Sequence, residues 1–425
     1  MLNKIKATFS DKLIRNRILF VLAILVVFRA LSTIPVPGVN VDAIKALVDG
    51  NSFFQVLNLF SGGGLSALSI LMLGVGPYIT ASIIIQLLTM VFPRMKELQQ
   101  EEGAEGRKKL SQYSRFLSVP IAFMQTFGIV ALITRQSPEV FGGLTAFGFA
   151  QIAIIVVASS IFLMWIGERL TEFGIGNGIS IIITVGIIAA LPQTVSRIWS
   201  TYDSTQLPLF VGMGILLISI IALIIYITEA ERPIEVNYAR QARSLATQGA
   251  SGSHKTYLPI KLNQAGVMPI IFAITILMFP SFLGNIMILS SNDMIQNIGR
   301  FISIWSQNPW AYGIVYFLLV FLFTYFYTAV TFDPKQMSEN LQKQGAFVSG
   351  IRPGESTMNY LSSIVTRTTF IGATFLACIA VLPNVVQGFT GIASISIGGT
   401  GILIVISTLI DVIKKINAQL SMREY

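Results

Sequence analysis

Residues 58–93 read NLFSGGGLSALSILMLGVGPYITASIIIQLLTMVFP. The stretch is apolar enough to cross a bilayer, yet it opens on Gly62, Gly63 and Gly64 and is broken again at Gly74, Gly76 and Pro77. Glycine and proline weaken a helix and add nothing to a packed core, so a buried soluble helix rarely carries such a run. In a membrane, irregular backbone survives only where protein buries it or where it lines a water-filled cavity. Two readings fit the spacing. One is a short helix that enters from one face, breaks and continues as a full span, which suggests a pathway through the protein; the other is an ordinary span preceded by a glycine-rich loop.

The rest of the chain supports a membrane setting. Of 425 residues, 53% are hydrophobic and 12% charged, roughly half the charge of soluble domains. No soluble fold of this size could bury so much apolar surface, so the chain reads as an all-α polytopic membrane protein with lipid as its main solvent. Cys378 and His254 are the only residues of their kinds, which leaves no disulfide framework, no cysteine-rich metal site and almost no material for imidazole relays. No cofactor or metal is expected. Gly174-Ile175-Gly176-Asn177-Gly178 resembles a phosphate loop superficially, but lacks the following Lys-Ser/Thr and lies between two apolar spans, so it reads as a tight turn. The chain is not read as an enzyme.

Apolar windows long enough to span recur ten times, near 18–34, 67–92, 116–134, 149–169, 179–198, 208–228, 265–289, 311–331, 368–386 and 396–413. The first follows Lys4, Lys6, Lys12, Arg15 and Arg17 but has no small-x-small cleavage site and ends in Pro35-Val36-Pro37-Gly38, so it reads as a permanent span. An even number of spans puts both termini on one side. Lys and Arg number 24 on that face against four on the other (Lys45, Arg135, Arg197, Arg300), with Arg29 inside the first span. The termini are therefore expected in the cytoplasm.

Two cytoplasmic loops, 229–264 and 332–367, are long, polar and basic. The runs IEVNYARQ and HKTYLPIK in the first predict an extended hairpin, and Pro334–Gln344 in the second predicts a short helix before a turn at Gly350–Gly354. Protruding basic loops suit docking of a large acidic or RNA-containing partner; positive-inside bias with solvated loops is the plainer alternative. The centres of the spans hold no Asp, Glu, Lys or His, which weighs against a proton- or sodium-coupled transporter. Glu168, Glu172, Glu229 and Asp411 sit near cytoplasmic ends. The spans carry neutral polar groups instead, among them Thr80, Gln86, Gln125, Asn263 and Gln264. Such groups can latch an interface that must also open, or serve as static interhelical glue.

A series of stretches resembles the SecY family of protein-translocase channel subunits, in the family's order and across essentially the whole chain. They are Arg29–Val39 (RALSTIPVPGV), Phe60-Ser61-Gly62-Gly63, Gly74–Thr89 (GVGPYITASIIIQLLT), Gly106–Arg115 (GRKKLSQYSR) and Gly174–Ile183 (GIGNGISIII). Val236–Arg240 (VNYAR), Leu258–Pro269 (LPIKLNQAGVMP), Gly345–Glu355 (GAFVSGIRPGE) and Gly398-Gly399-Thr400 follow.

The resemblance implies an hourglass pore between two pseudo-symmetric five-helix halves, residues 1–200 (spans 1–5) and 201–425 (spans 6–10). It implies a re-entrant plug half-helix at about 58–67, with Phe60, Ser61, Gly62, Gly63, Gly64 and Leu65. The constriction ring carries over to Val75, Ile79, Ile179, Ile183, Ile271 and Ile404. Flexible aliphatic chains offer no ion ligands and can seal by dewetting. Val75 is smaller than the isoleucine usual in the family's ring. A lateral gate between spans 2–3 and 7–8 maps its polar cluster to Thr80, Gln125 and Asn263, and docking of a motor or ribosome to Arg352 with Arg240 and Arg243. The implied function is passage of unfolded, signal-bearing polypeptides across the bacterial cytoplasmic membrane and sideways release of hydrophobic segments into lipid. The implied partners are SecE, SecG, the SecA ATPase, the ribosome and the translocating chain. Two other classes share parts of this outline: a small-solute secondary transporter, opposed by the missing intramembrane charges, and an insertase or scaffold without a through-pore, opposed by the glycine segment and the aliphatic ring.

Overall fold

The computed structural model describes residues 11–421 apart from 51–53, 56, 59–60, 101–102, 144, 201–206, 239–255, 289, 291 and 391–392. The chain is mostly helical. The helices are α1 (Lys12–Ser32), α2 (Val41–Gly50), α3 (Gly76–Val91), α4 (Pro93–Gln100), α5 (Gly103–Gln136), α6 (Ala146–Phe173), α7 (Gly178–Ser200) and α8 (Leu207–Glu229). The strands β1 (Glu231–Tyr238) and β2 (Thr256–Lys261) precede α9 (Met268–Met287), α10 (Asp293–Gln307), α11 (Pro309–Thr331) and α12 (Pro334–Lys343). Then come β3 (Ala346–Val348), α13 (Glu355–Thr390) and α14 (Ala393–Ser421). Among the described residues, Lys108–Gln136, Ala146–Phe173, Met268–Met287, Pro309–Lys343 and Glu355–Phe389 are long and apolar enough to cross a membrane. Gly76–Val91, Gly178–Pro192 and Gly214–Glu229 are shorter apolar helices.

Several helix starts are fixed by a side chain that takes up otherwise unpaired amide hydrogens. Asp11 Oδ1 accepts from Leu13 N at 2.8 Å, Thr145 Oγ1 from Gly148 N at 3.1 Å, and Asn177 Oδ1 from Ile179 N at 3.1 Å. Asp333 accepts from Lys335 N at 2.9 Å ahead of Pro334, whose missing N–H costs nothing at a first helical position.

Contacts divide the chain into two compact units: residues 1–208, 274–313 and 383–425 in one, and 209–273 with 314–382 in the other. This grouping follows contact; the sequence halves 1–200 and 201–425 are a separate statement about repetition. In the first unit α6 is central, packing on α5, α7, α1 and α3, while α7 packs on α14. Its core gathers Ile44, Phe54, Leu65, Leu68, Ile133 and Val156.

The second unit carries a three-stranded antiparallel sheet in the order β2-β1-β3. β1 pairs with β2 through Ile234↔Leu258 and Val236↔Thr256, and with β3 through Val236↔Val348 and Tyr238↔Ala346. Ile234 and Val236 alternate with exposed Glu235, as a strand with one wet face should. They pack with Ile260, Leu341, Val348 and Leu361. Pro233 lies outside the segment of β1 that pairs with β3, and Pro259 is on the edge strand, where a missing donor is tolerated. The predicted hairpin and short helix are both present, and β3 joins the two long loops into one sheet.

Candidate functional site

Ser61–Val75, ahead of α3, runs as consecutive turns among apolar neighbours. The half-helix expected after Ser61 is absent here, because Gly62, Gly63 and Gly74 hold φ values of +68°, +86° and +57° and Leu68 holds +39°. A right-handed helix cannot pass through left-handed residues. The 67–92 window is therefore helical only from Gly76.

Backbone groups lost to the helix are paired one by one. Asn58 O accepts from Gly63 N at 2.9 Å and from Ser61 Oγ at 3.1 Å, and Asn58 Oδ1 accepts from Ser66 N at 2.9 Å. Ser61 Oγ in turn accepts from Leu65 N at 3.1 Å. The chain just after α1 forms a short antiparallel bridge with the segment: Val36 N donates to Leu68 O at 2.8 Å and Ile70 N to Ile34 O at 3.0 Å. From α6, the Ser159 hydroxyl donates to Ile70 O and the Ser160 hydroxyl to Gly74 O at 3.2 Å. The serine pair was not among the sequence candidates. Its signal is two adjacent hydroxyls in the middle of an otherwise apolar window.

The plug candidates sit at the start of this segment. Ser61, Gly62, Gly64 and Leu65 are buried and Gly63 is half-buried; Phe60 lies outside the described residues. At Gly62 a Cβ would lie 2.9 Å from Phe28 Cζ on α1 and 3.0 Å from the Gly186 Cα on α7, so only glycine fits the seat. Arg29, the lone charge of the first span, donates from Nη1 to Gly62 O at 3.4 Å.

The ring candidates are distributed over several helices. Val75 and Ile79 are buried one turn apart at the start of α3, joined by Ile79 N to Val75 O at 3.1 Å. Ile183 and Ile404 are buried on the packed pair α7 and α14, with Ile179 half-buried one turn before Ile183. Ile271 is buried in the second unit. Of the gate candidates, Thr80 donates to Gly76 O of its own helix at 3.0 Å. Asn263 clasps its own turn, donating to Gly266 O at 3.2 Å and accepting from Gly266 N at 3.0 Å. Neither bond joins two helices. Gln125 is half-buried on α5.

Arg352 is exposed in a turn after β3, between the left-handed Gly350 and Gly354. Its carbonyl accepts from Thr357 Oγ1 at 2.8 Å, and Gly354 O accepts from Ser338 Oγ at 2.7 Å, which ties the turn to α12 and α13. Arg240 and Arg243 lie outside the described residues. Two of the acidic residues near span ends are paired: Glu168 accepts from Arg115 Nε at 2.7 Å, linking α6 to α5, and Glu172 accepts from Arg169 at 3.1 Å.

Long apolar helices, with an irregular segment whose polar groups are met inside the protein, define a polytopic membrane protein of the channel or transporter type. The SecY family model matches residues 69–413. A protein translocase subunit SecY of Staphylococcus aureus (strain NCTC 8325 / PS 47) is 40% identical, covering 98% of this chain and 97% of its own. The chain belongs to the SecY family. A solved SecY channel, whose plug domain is described as stabilising the closed state and maintaining a membrane seal, superposes with a TM-score of 0.63 at 18% identity, over 97% of this chain and 92% of its own. Sec61 in the canine ribosome-channel complex from the endoplasmic reticulum superposes with a TM-score of 0.60 at 19% identity, over 97% and 93%. These two likenesses concern the fold.

Proposed function

We propose that this chain forms the protein-conducting channel of a translocase, passing unfolded signal-bearing polypeptides across the cytoplasmic membrane and releasing hydrophobic segments sideways into lipid. Family membership supports the transport role. The single observation that carries the gating part is the seat of Ser61–Val75. Its backbone is paired by short turn bonds of its own and by detachable side-chain and loop bonds rather than by a helix ladder, and its glycine contacts α1 and α7 closely. A segment held this way can leave without unfolding a helix, which is what a plug requires.

In this reading ten spans surround an hourglass pore in two five-helix halves, with both termini cytoplasmic. Val75, Ile79, Ile179, Ile183, Ile271 and Ile404 close around the passing chain, and the burial of all but the half-buried Ile179 suits a sealed state. Thr80, Gln125 and Asn263 line the lateral gate. The local bonds of Thr80 and Asn263 are the resting partners that a signal sequence would displace. Arg352, with Arg240 and Arg243, docks the SecA motor or the ribosome, for which the basic loops offer complementary charge. SecE clamps the halves and SecG binds peripherally. The chain itself performs no bond chemistry.

The test is reconstitution with SecE and SecG in proteoliposomes, followed by SecA, ATP and a labelled preprotein. ATP-dependent protease protection of the label is expected. Its absence in liposomes containing folded complex would return the chain to the transporter or scaffold class.

A further inference from the structure

The loop between the seventh and eighth spans, external by the charge count, contains a helix that neither the spans nor the channel reading uses. α10 has the sequence DMIQNIGRFISIWSQ and is capped by Asn292, whose Oδ1 accepts from Met294 N at 3.0 Å. At 100° per residue its surface divides into three sectors. Gly299, Ile302 and Ser306 turn toward protein. The seat there is tight: a Cβ at Gly299 would lie 2.8 Å from Gly284 O, and one at Gly284 would lie 2.7 Å from Ile302 Cγ2, so two glycines hold α10 against the outer end of α9. A second sector is apolar yet exposed, with Met294, Ile298 and Phe301 at 73%, 44% and 73%. The third is exposed and largely polar, with Asp293, Asn297, Arg300 and Gln307 around one apolar residue, Ile304, at 70%.

A helix packed on one side, polar on the next and apolar on the third fits a place beside a membrane protein at the lipid–water boundary. Its surroundings continue that boundary. Phe279 and Leu283 on the adjacent part of α9 are exposed apolar residues that a span presents to lipid. Trp305 meets Tyr312 with ring centroids 6.5 Å apart, and Trp310 meets Phe389 edge-on at 5.3 Å. Tryptophan and tyrosine concentrate at the level of lipid headgroups. Arg300 adds an exposed cation on the polar sector.

We propose that α10 is an interfacial anchor: it lies flat in the headgroup zone of the external leaflet, with Met294, Ile298 and Phe301 in the acyl chains and Arg300 at the phosphates. Through the Gly284–Gly299 seat it fixes the outer end of α9, the helix that also carries Ile271. The occupant of the stripe is lipid, because the end of α9 to which α10 is fixed also exposes apolar Phe279 and Leu283, and the Trp305–Tyr312 and Trp310–Phe389 pairs lie at the same end.

The test does not depend on translocation, so it is separable from the channel reading. In a Cys378→Ser background, Asn297→Cys, Ile298→Cys, Arg300→Cys and Phe301→Cys are spin-labelled one at a time. Each full chain, purified with its partner subunits, is reconstituted in vesicles of phosphatidylethanolamine and phosphatidylglycerol. Collision with oxygen, which partitions into acyl chains, is expected to exceed collision with a water-soluble nickel chelate severalfold at 298 and 301, with the reverse at 297 and 300. Nickel access at all four positions overturns the proposal, as does shielding of 298 and 301 from both probes, which would mean protein on the stripe. Met294→Cys, one turn earlier on the same sector, gives the reading if a label at 298 disturbs the seat.

Discussion

The segment 61–75 and the sheet β2-β1-β3 both lie in connections that a run of helices leaves over, and they satisfy their backbone in opposite ways. In the segment, short turn bonds such as Leu68 N to Leu65 O and Gly74 N to Leu71 O are supplemented by single partners from Asn58, Ser61, Ser159, Ser160 and the chain just after α1. In the sheet they come as a ladder, with register fixed by alternating Ile234 and Val236 over a core that includes Leu341 and Leu361. Removing one partner from a set of single bonds leaves a specific carbonyl stranded, whereas a ladder is held by its core. The first arrangement suits a part that moves, the second a platform that holds its shape.

Gly62 is the strictest position in that contrast, and Gly62→Val should have the largest effect. A side chain there meets Phe28 and the backbone of Gly186, and it must also hold φ +68°. The left-handed conformation costs about 1–2 kcal/mol and overpacking adds roughly 1–3 kcal/mol. The closed seat should be lost, read as a rise in ion conductance of the reconstituted channel of roughly thirtyfold or more at about 1.4 kcal/mol per decade. Unchanged conductance would break the plug assignment.

On the sheet side, Leu361→Ala removes a fully buried side chain from the core beneath the strands. The cost should be about 2–5 kcal/mol. Hydrogen exchange in β1 and β3 should accelerate accordingly, with closed-channel conductance unchanged. A leak of the size produced at Gly62 would mean that the two regions are not separable.

Ser159→Ala combined with Ser160→Ala sharpens the comparison from the other direction. It strands the carbonyls of Ile70 and Gly74, at roughly 1–3 kcal/mol each where water does not replace the hydroxyl. Because water can take the place of the lost hydroxyls whereas nothing relieves the clash at Gly62, the expected leak is smaller than at Gly62. An undiminished seal would show that water already serves these carbonyls.

How much of this was legible in the sequence depended on the length of each signal. Long apolar windows gave the helices α5, α6, α9, α11 and α13, and the runs IEVNYARQ and HKTYLPIK gave β1 and β2, because both patterns persist over several residues. β3 is three residues, too short for any period, and its place follows from pairing with Val236–Tyr238. The 67–92 window concealed turns to Val75, since apolar composition does not register four left-handed residues. α10 lies between two apolar windows and is too short and polar to register as a span, although its amphipathic pattern is present in the letters DMIQNIGRFISIWSQ. In the candidate site, Asn263 illustrates the limit: an Asn three residues before a glycine is a turn signal as much as a gate signal, and its described bonds are those of the turn.

The smallest expected effect on stability, with a large one on activity, belongs to Arg352→Glu. The turn that carries Arg352 is shaped by its backbone: two left-handed glycines, Thr357 bonding to the Arg352 carbonyl and Ser338 to that of Gly354. The guanidinium is exposed and makes no ion pair among the described residues. Reversing its charge should therefore change stability by no more than about 0.5 kcal/mol, as for surface positions in general. ATP-dependent protection of a preprotein should nevertheless fall sharply, since a carboxylate in this turn repels the acidic partner that the guanidinium attracts. Arg352→Lys should recover part of it, keeping the charge but not the planar fork that suits carboxylate and phosphate. Full activity of the glutamate variant would remove the docking role from this turn; a large stability loss would mean that the turn is held by the side chain after all, and the distinction between platform and moving part would have to be redrawn.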